Sequence, residues 1–259
     1  RVRWEPRVDA AGRSVSYTFE APGTARITKT FTLHPDDYLI DIHVNYTNLA
    51  GTAQRLGTDT HIPAFSITWE PNLHAGDVGR DAMMDAIVWR TNGQTESLQV
   101  SKLKPPLTHI GYSQRMDGAS WAAVRSLYFL TALRPLPRED AQWAEGLWGW
   151  VSGSPSMYRM GLAVPRTEVA PGARFDTAFR LYLGPTHLGT LKQASSHGFP
   201  ELEEALQYFS WPAFAWIMNP FAKLLLNLLN FFHDHVYANY GIAIILLTIV
   251  VRVVVFPLT

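Results

Sequence analysis

Cysteine is absent from the 259 residues, which removes zinc ribbons, thiol nucleophiles and disulfide frameworks together and leaves the redox compartment open. A surplus of charge is missing as well. Lys+Arg and Asp+Glu number 22 each, with no basic block, so the positive footprint that a nucleic-acid partner requires is not there. Neither G-x-x-x-x-G-K-S/T nor G-x-S-x-G occurs, and with them go a phosphate-cradling loop and a nucleophile elbow. The sequence reads as that of a chain without catalysis, cofactor or metal.

What is present is apolar: 47% of the residues are hydrophobic, ample for a sizeable core in one large domain with an appendage, or in two domains. The chain opens on Arg1 and closes on Thr259 without a polar tail, and is read as a piece of a longer protein. Residues 14–183 carry β patterns. Over 38–46 the alternation is strict, with Ile40, Ile42, Val44 and Tyr46 on one face and Asp41, His43 and Asn45 on the other. Residues 174–183 repeat it with Phe175, Thr177, Phe179, Leu181 and Leu183. Further strands are expected at 14–20, 25–33, 62–69, 86–90, 120–130 and 157–164, with turns at Pro22-Gly23, Asn92-Gly93, Asp117-Gly118 and Pro171-Gly172. No helical pattern between them is long enough for a βαβ crossover, which predicts a mainly β chain built on an antiparallel β-sandwich over residues 1–184.

After Gly184-Pro185 the period becomes helical. A connector over 185–211 should hold two short helices, at 187–194 and 200–209, the second with Pro200, Glu201, Glu203 and Glu204 at its start. In the following segment, 212–238, Asn219, Lys223, Asn227, Asn230 and Asp234 draw one narrow polar stripe. Asn219 is expected as N-cap and Pro220 as the first helical residue of a helix reaching Val236. Leu and Phe cover the rest of its surface, a pattern suited to the water–lipid interface, and Tyr237 and Tyr240 follow as interfacial aromatics. A core helix of a soluble bundle is the competing reading.

Segment 239–259 is an apolar run with one charge, Arg252. A guanidinium stays ionised, so inside a membrane it is tolerated only toward a protein-lined, watered cavity. At about 1.5 Å per residue it lies ~16 Å from Gly241, near the middle of a ~30 Å hydrocarbon layer. Thr248 and Thr259 share its helical face. The alternative is a buried soluble helix with an ion-paired Arg.

The C-terminal third resembles the YidC-type membrane protein insertases of bacterial inner membranes. The residues that carry the likeness are Tyr182-Leu183-Gly184-Pro185, Tyr208-Phe209-Ser210-Trp211, Asn219-Pro220-Phe221, the run from Asn239 through Thr248 to Arg252, and Phe256-Pro257-Leu258-Thr259. More weakly, Ile27-Thr28-Lys29-Thr30-Phe31, Asp37-Tyr38-Leu39-Ile40-Asp41, Ser120-Trp121-Ala122-Ala123 and Tyr128-Phe129 are similar to that family's large periplasmic domain. The resemblance implies a supersandwich-like periplasmic domain, an amphipathic interfacial helix and the start of a transmembrane helix. It implies a multi-pass protein of the inner membrane that inserts and helps fold nascent inner-membrane proteins, alone or with the Sec translocon and its accessory subunits, and meets the ribosome through regions outside these residues. Arg252, Thr248 and Thr259 would then line a substrate groove, while Asn219, Pro220, Lys223, Asn227 and Asn230 mark the interfacial helix. A polar tail crossing at such a groove meets a shorter dry path and an attracting cation, with burial of the apolar segment in lipid as the driving force.

Other constellations carry less. His233-Asp234-His235 places its histidines on different helical faces, and the carboxylate pairs Asp36-Asp37 and Glu139-Asp140 read as solvated turns rather than glycosidase machinery. Trp143, Trp148 and Trp150 could stack on a sugar or pack internally, and a membrane-tethered β-sandwich that binds carbohydrate or a translocon subunit is the rival function.

Overall fold

The structure, a computed structural model, describes residues 4–57, 62–69, 85–105, 112–136, 147–154, 157–206, 212–236 and 239–256, the last two helices by backbone alone at 212–219 and 254–255. The chain divides into two compact units, Arg1–Ala205 and Leu206–Thr259.

The first unit is an antiparallel β-sandwich. Its larger sheet has nine strands in the order β1 (Glu5–Val8), β2 (Ser14–Ala21), β3 (Ala25–His34), β4 (Leu39–Asn48), β15 (Arg174–Pro185), β11 (Phe129–Pro135), β10 (Ala119–Arg125), β7 (Ala86–Thr91) and β8 (Gln94–Gln99). Facing it are β6 (Phe65–Trp69), β13 (Met157–Val164), β12 (Trp148–Ser154) and β9 (Gln114–Asp117). A ribbon of β5 (Gln54–Leu56) and β14 (Thr167–Val169) stands at the side.

Between the sheets lies the main core. Ile42, Val44, Ile87, Val124, Leu133 and Phe179 from the large sheet meet Met116, Val151, Met160 and Leu162 from the small one. The alternation read in β4 is realised, with Ile42 and Val44 buried and Asp41 on the opposite face pairing with Arg180, whereas in β15 it holds only in part: Phe179 is buried, but Leu183 is exposed, and Ala178 and Tyr182 on the opposite face are buried as well. Burying one such side chain contributes about 2 kcal/mol. The expected strand over 120–130 is instead two, because Ser126 closes a hairpin: its amide donates to the Phe129 carbonyl at 2.8 Å and its hydroxyl accepts from the Phe129 amide at 3.1 Å. β1, β5, β8, β9, β12 and β14 lie outside the expected strands, being short or poor in alternation.

The central strands of the large sheet are buried on both faces, which is why β7, β10 and β11 read as near-continuous apolar runs rather than alternating ones. Their second face is covered by the connector. The connector, with helix α1 (Leu188–Ser196) and the 3₁₀ turn Leu202–Ala205, contributes Leu188, Leu191, Ala194, Phe199, Leu202 and Ala205, all buried. The expected helix over 200–209 is thus a single tight turn where it is described.

The second unit holds α2 (Pro212–His235) and α3 (Tyr240–Val255). Helix α2 corrects one expectation: Asn219 is not its N-cap, and Pro220 sits inside it. Proline removes one backbone donor, but the apolar residues 213–218 continue the helical pattern upstream, with Pro212 at the first turn, where the missing N–H costs nothing. Asn239 caps α3, its side chain accepting from the Gly241 amide at 2.8 Å. Among the described residues no helix is long and apolar enough to cross a membrane; the 16 residues of α3 extend about 24 Å against a ~30 Å hydrocarbon layer.

Candidate functional site

Helices α2 and α3 place the anticipated residues as follows. On α3, Ala243 is fully buried, and Leu246, Leu247 and Val251 continue its half-buried stripe. Nine residues on, Arg252 falls on the opposite side of the helix and is exposed, with Thr248 one turn before it. The Thr248 hydroxyl donates back to the Ile244 carbonyl at 2.8 Å, which satisfies it within the helix. Among the described residues Arg252 has no carboxylate partner, so the ion-paired core alternative finds no support there. Thr259 lies outside the described residues, as does the side chain of Asn219.

On α2 three faces can be told apart. Ala222, Leu225, Leu226 and Leu229 are half-buried; Lys223, Asn227, Asn230 and Asp234 form the polar stripe; and Phe221, Leu224 and Phe231, with exposures of 51, 61 and 51%, form an open apolar strip beside it. Pro220 is exposed at the start of that strip.

A second constellation lies in the first unit and was not anticipated. Four arginines, one on each of four adjacent strands, hold the connector, three by its carbonyls and one by a carboxylate. Arg180 on β15 donates to the His197 carbonyl at 2.7 Å, Arg134 on β11 to Gly198, and Arg125 on β10 to Ala205 at 2.7 Å, while Arg90 on β7 pairs with Glu201. Buried Trp121 adds an indole donor to the Pro200 carbonyl at 3.2 Å. Arg180 also grips Asp41 with two bonds, of 2.6 and 2.8 Å. Burial pushes the Asp41 carboxyl up, but the bonds from Arg180 and His34 and the charge of Arg180 outweigh it and hold it below the usual carboxylate range. The bond to Asp41 raises Arg180 in turn, and burial beside Arg180 lowers Arg134.

Between the sheets a cavity of about 640 Å³ is walled by Ile27, Phe31, Val44, Phe65, Trp69 and Leu181. At its side the Lys29 ammonium sits 4.5 Å over the Trp4 ring.

Comparison with known proteins decides the family. A sequence profile described as the YidC periplasmic domain matches residues 5–224. The chain belongs to the YidC periplasmic domain family. It is 27% identical over 254 residues to the membrane protein insertase YidC of Syntrophobacter fumaroxidans, covering 97% of this chain and 41% of that protein. With the membrane protein insertase YidC of Anaeromyxobacter dehalogenans it shares 31% over 253 residues, covering 96% and 41%. The chain therefore spans about two fifths of the length of these relatives. Among solved structures, a galactose mutarotase related enzyme from Lactobacillus acidophilus matches with a TM-score of 0.45 at 9% identity, over 70% of each chain.

Several residues of the YidC resemblance have structural reasons. Trp121, Ala122 and Ala123 are fully buried in a strand covered on both faces. The Tyr182 hydroxyl donates to the Pro185 carbonyl at 2.9 Å, and a side chain at Gly184 would meet that hydroxyl at 2.7 Å and the Tyr38 ring at 2.9 Å. The segment 208–211 lies outside the described residues, as do Tyr237, Glu139, Asp140 and Trp143. Asp37 is half-buried and bound to His197 and Gln193, at 3.0 and 2.8 Å, rather than solvated; Asp36 is exposed. His233 bonds Asp234 at 2.8 Å and stacks on Tyr240, while His235 stacks on Phe231, so the two rings do not converge. Trp148 is only 3% exposed, with the Arg115 guanidinium 4.6 Å over its ring, and it offers no face to a sugar.

Proposed function

We propose that this chain is the periplasmic and membrane-entry portion of an insertase that places nascent inner-membrane proteins into the bilayer, alone or with the Sec translocon. One observation carries the reading: in a chain of this family, α3 bears a single charge, Arg252, on the face turned away from its buried stripe. A cation there, with Thr248 beside it, attracts the acidic or polar tail of an incoming segment and shortens its dry path, and lipid burial of the segment drives the transfer without a nucleotide. In the same reading α3, continued by residues outside the described ones, enters the membrane, Thr259 belongs to the groove, and α2 lies at the interface with Lys223, Asn227 and Asn230 toward water. The protein is then multi-pass, in the bacterial inner membrane.

Site-specific photocrosslinking from position 252 of the full-length protein during synthesis of a small inner-membrane protein tests this. Adducts to the nascent span are expected. Their absence, with a productive control position, would reduce α3 to an anchor and move attention to the cavity of the sandwich.

A further inference from the structure

One rim of the β-sandwich is apolar and aromatic. It is formed by the β10–β11 hairpin tip (Leu127, Tyr128, Phe129), by Tyr38 in the β3–β4 turn and by Leu183 on β15, all between 46 and 60% exposed. Backbone bonds stitch these pieces together: the Leu183 amide donates to the Tyr38 carbonyl at 3.0 Å, the Thr186 amide to the Tyr128 carbonyl at 2.9 Å, and the Thr186 hydroxyl to the Leu127 carbonyl at 3.1 Å. Tyr38 holds a positive φ of 55°, a conformation that a bulky side chain adopts only under constraint. Its ring lies edge-on to Tyr182, with centroids 6.4 Å apart, over Gly184. Strain of this kind, spent on keeping an aromatic ring at an exposed rim, points to use of the ring.

The same rim is where the chain leaves the sandwich. Arg125, the last residue of β10, bonds the carbonyl of Ala205, the last residue of the first unit. One arginine side chain therefore separates the exit point from the strand end that precedes Leu127 and Tyr128. From Leu206 the sequence continues into α2 and α3.

We infer that this rim is a membrane contact: Tyr38, Leu127, Tyr128, Phe129 and Leu183 rest in the headgroup layer of the bilayer that receives α2 and α3. Rings that are apolar in body and polar at one tip settle at that depth, and the short leucines add burial without needing to span. Asp36, exposed in the Tyr38 turn, opposes an anionic surface, so the surface that fits is zwitterionic. The inference rests on the reading that residues 212–256 lie in or on the bilayer.

The test is made on the full-length protein on a cysteine-free background, reconstituted in phosphatidylcholine vesicles containing a headgroup-nitroxide lipid together with a mid-chain-nitroxide lipid, so that both depths are sampled. An environment-sensitive fluorophore is attached singly at Tyr128→Cys, at Ile249→Cys on α3, or at Gln94→Cys at the far end of the sheet. The expected result is loss of fluorescence to the nitroxides at 128 and 249 with little at 94. Quenching at 249 with position 128 as unaffected as 94 would overturn the rim contact while leaving the bilayer placement of α3 intact. A blue shift at 128 without lipid quenching would assign the rim to a protein neighbour and overturn it too. No quenching at 249 or 128 would remove the bilayer reading itself, and the rim contact with it.

Discussion

Arg134 and Arg180 stand directly opposite each other on the paired strands β11 and β15, two like charges side by side on a face that the connector covers. The pair persists because neither cation is left to the other: both donate to connector carbonyls, and Arg180 is neutralised by Asp41. A cross-strand arginine pair is unfavourable by itself, so the connector and Asp41 supply what makes it tolerable. Removing Arg180 should then be costly through the partners it abandons. Arg180→Leu is expected to destabilise the first unit by about 2–4 kcal/mol, since Asp41 is left largely buried without its cation. Adding Asp41→Asn should recover part of that loss, and the coupling is read from denaturant unfolding of the four members of the cycle.

Asp41 also sets an acid limit. Its folded carboxyl titrates below the usual range and its unfolded one near ~3.9. The stabilisation from Arg180 and His34 is therefore fully present above the unfolded value and lost as pH falls through the folded one. The melting temperature of the wild type should drop more steeply than that of Asp41→Asn as the pH falls below about 4. Parallel slopes would show that the pair contributes no linkage.

Gly161 on β13 is opposite Trp150 on β12 and Thr68 on β6. A methyl there would meet the Ile67 carbonyl at 2.7 Å, the Ser66 hydroxyl at 2.8 Å and the Trp150 ring at 3.0 Å. The same substitution would press on the bond from the Trp150 indole to Ser66, 2.9 Å long. Gly161→Ala should cost about 1–3 kcal/mol by overpacking and shift tryptophan emission, whereas Gly51→Ala, with open space around it, should leave both unchanged.

How far the sequence disclosed this architecture depended on how many faces each strand buries. β4, with a core face and a polar face along most of its length, alternates and could be read residue by residue, whereas β15 also buries Ala178 and Tyr182 on its second face. β10 and β11, buried on both faces, fused into one apolar run, and the Ser126 turn between them carries no Gly or Pro to mark it. Arg252 stood out as the lone charge of residues 239–259, and the structure places it exposed on α3. The arginine row was not legible, because its members are scattered from 90 to 180 in sequence and become neighbours only through the strand order β15-β11-β10-β7. Asn219-Pro220 misled for a local reason: a proline that looks like a helix start is also tolerated within a long apolar helix.

The groove reading of α3 makes a prediction that separates charge from packing. Arg252 is exposed, with Thr248 one turn before it on the same face, so Arg252→Lys keeps the cation and removes only the planar fork, while Arg252→Ala removes the charge. If the cation attracts acidic tails of incoming segments, a charge pair at a partly watered site contributes on the order of 1–4 kcal/mol. Arg252→Ala should then slow insertion of a substrate with an acidic translocated tail by about tenfold or more, and Arg252→Lys should slow it little. A matched substrate with a neutral tail should be nearly indifferent to both changes. Equal loss for acidic and neutral tails, measured by protease protection of the two substrates in vesicles, would mean that Arg252 shapes the helix surface rather than meeting the tail.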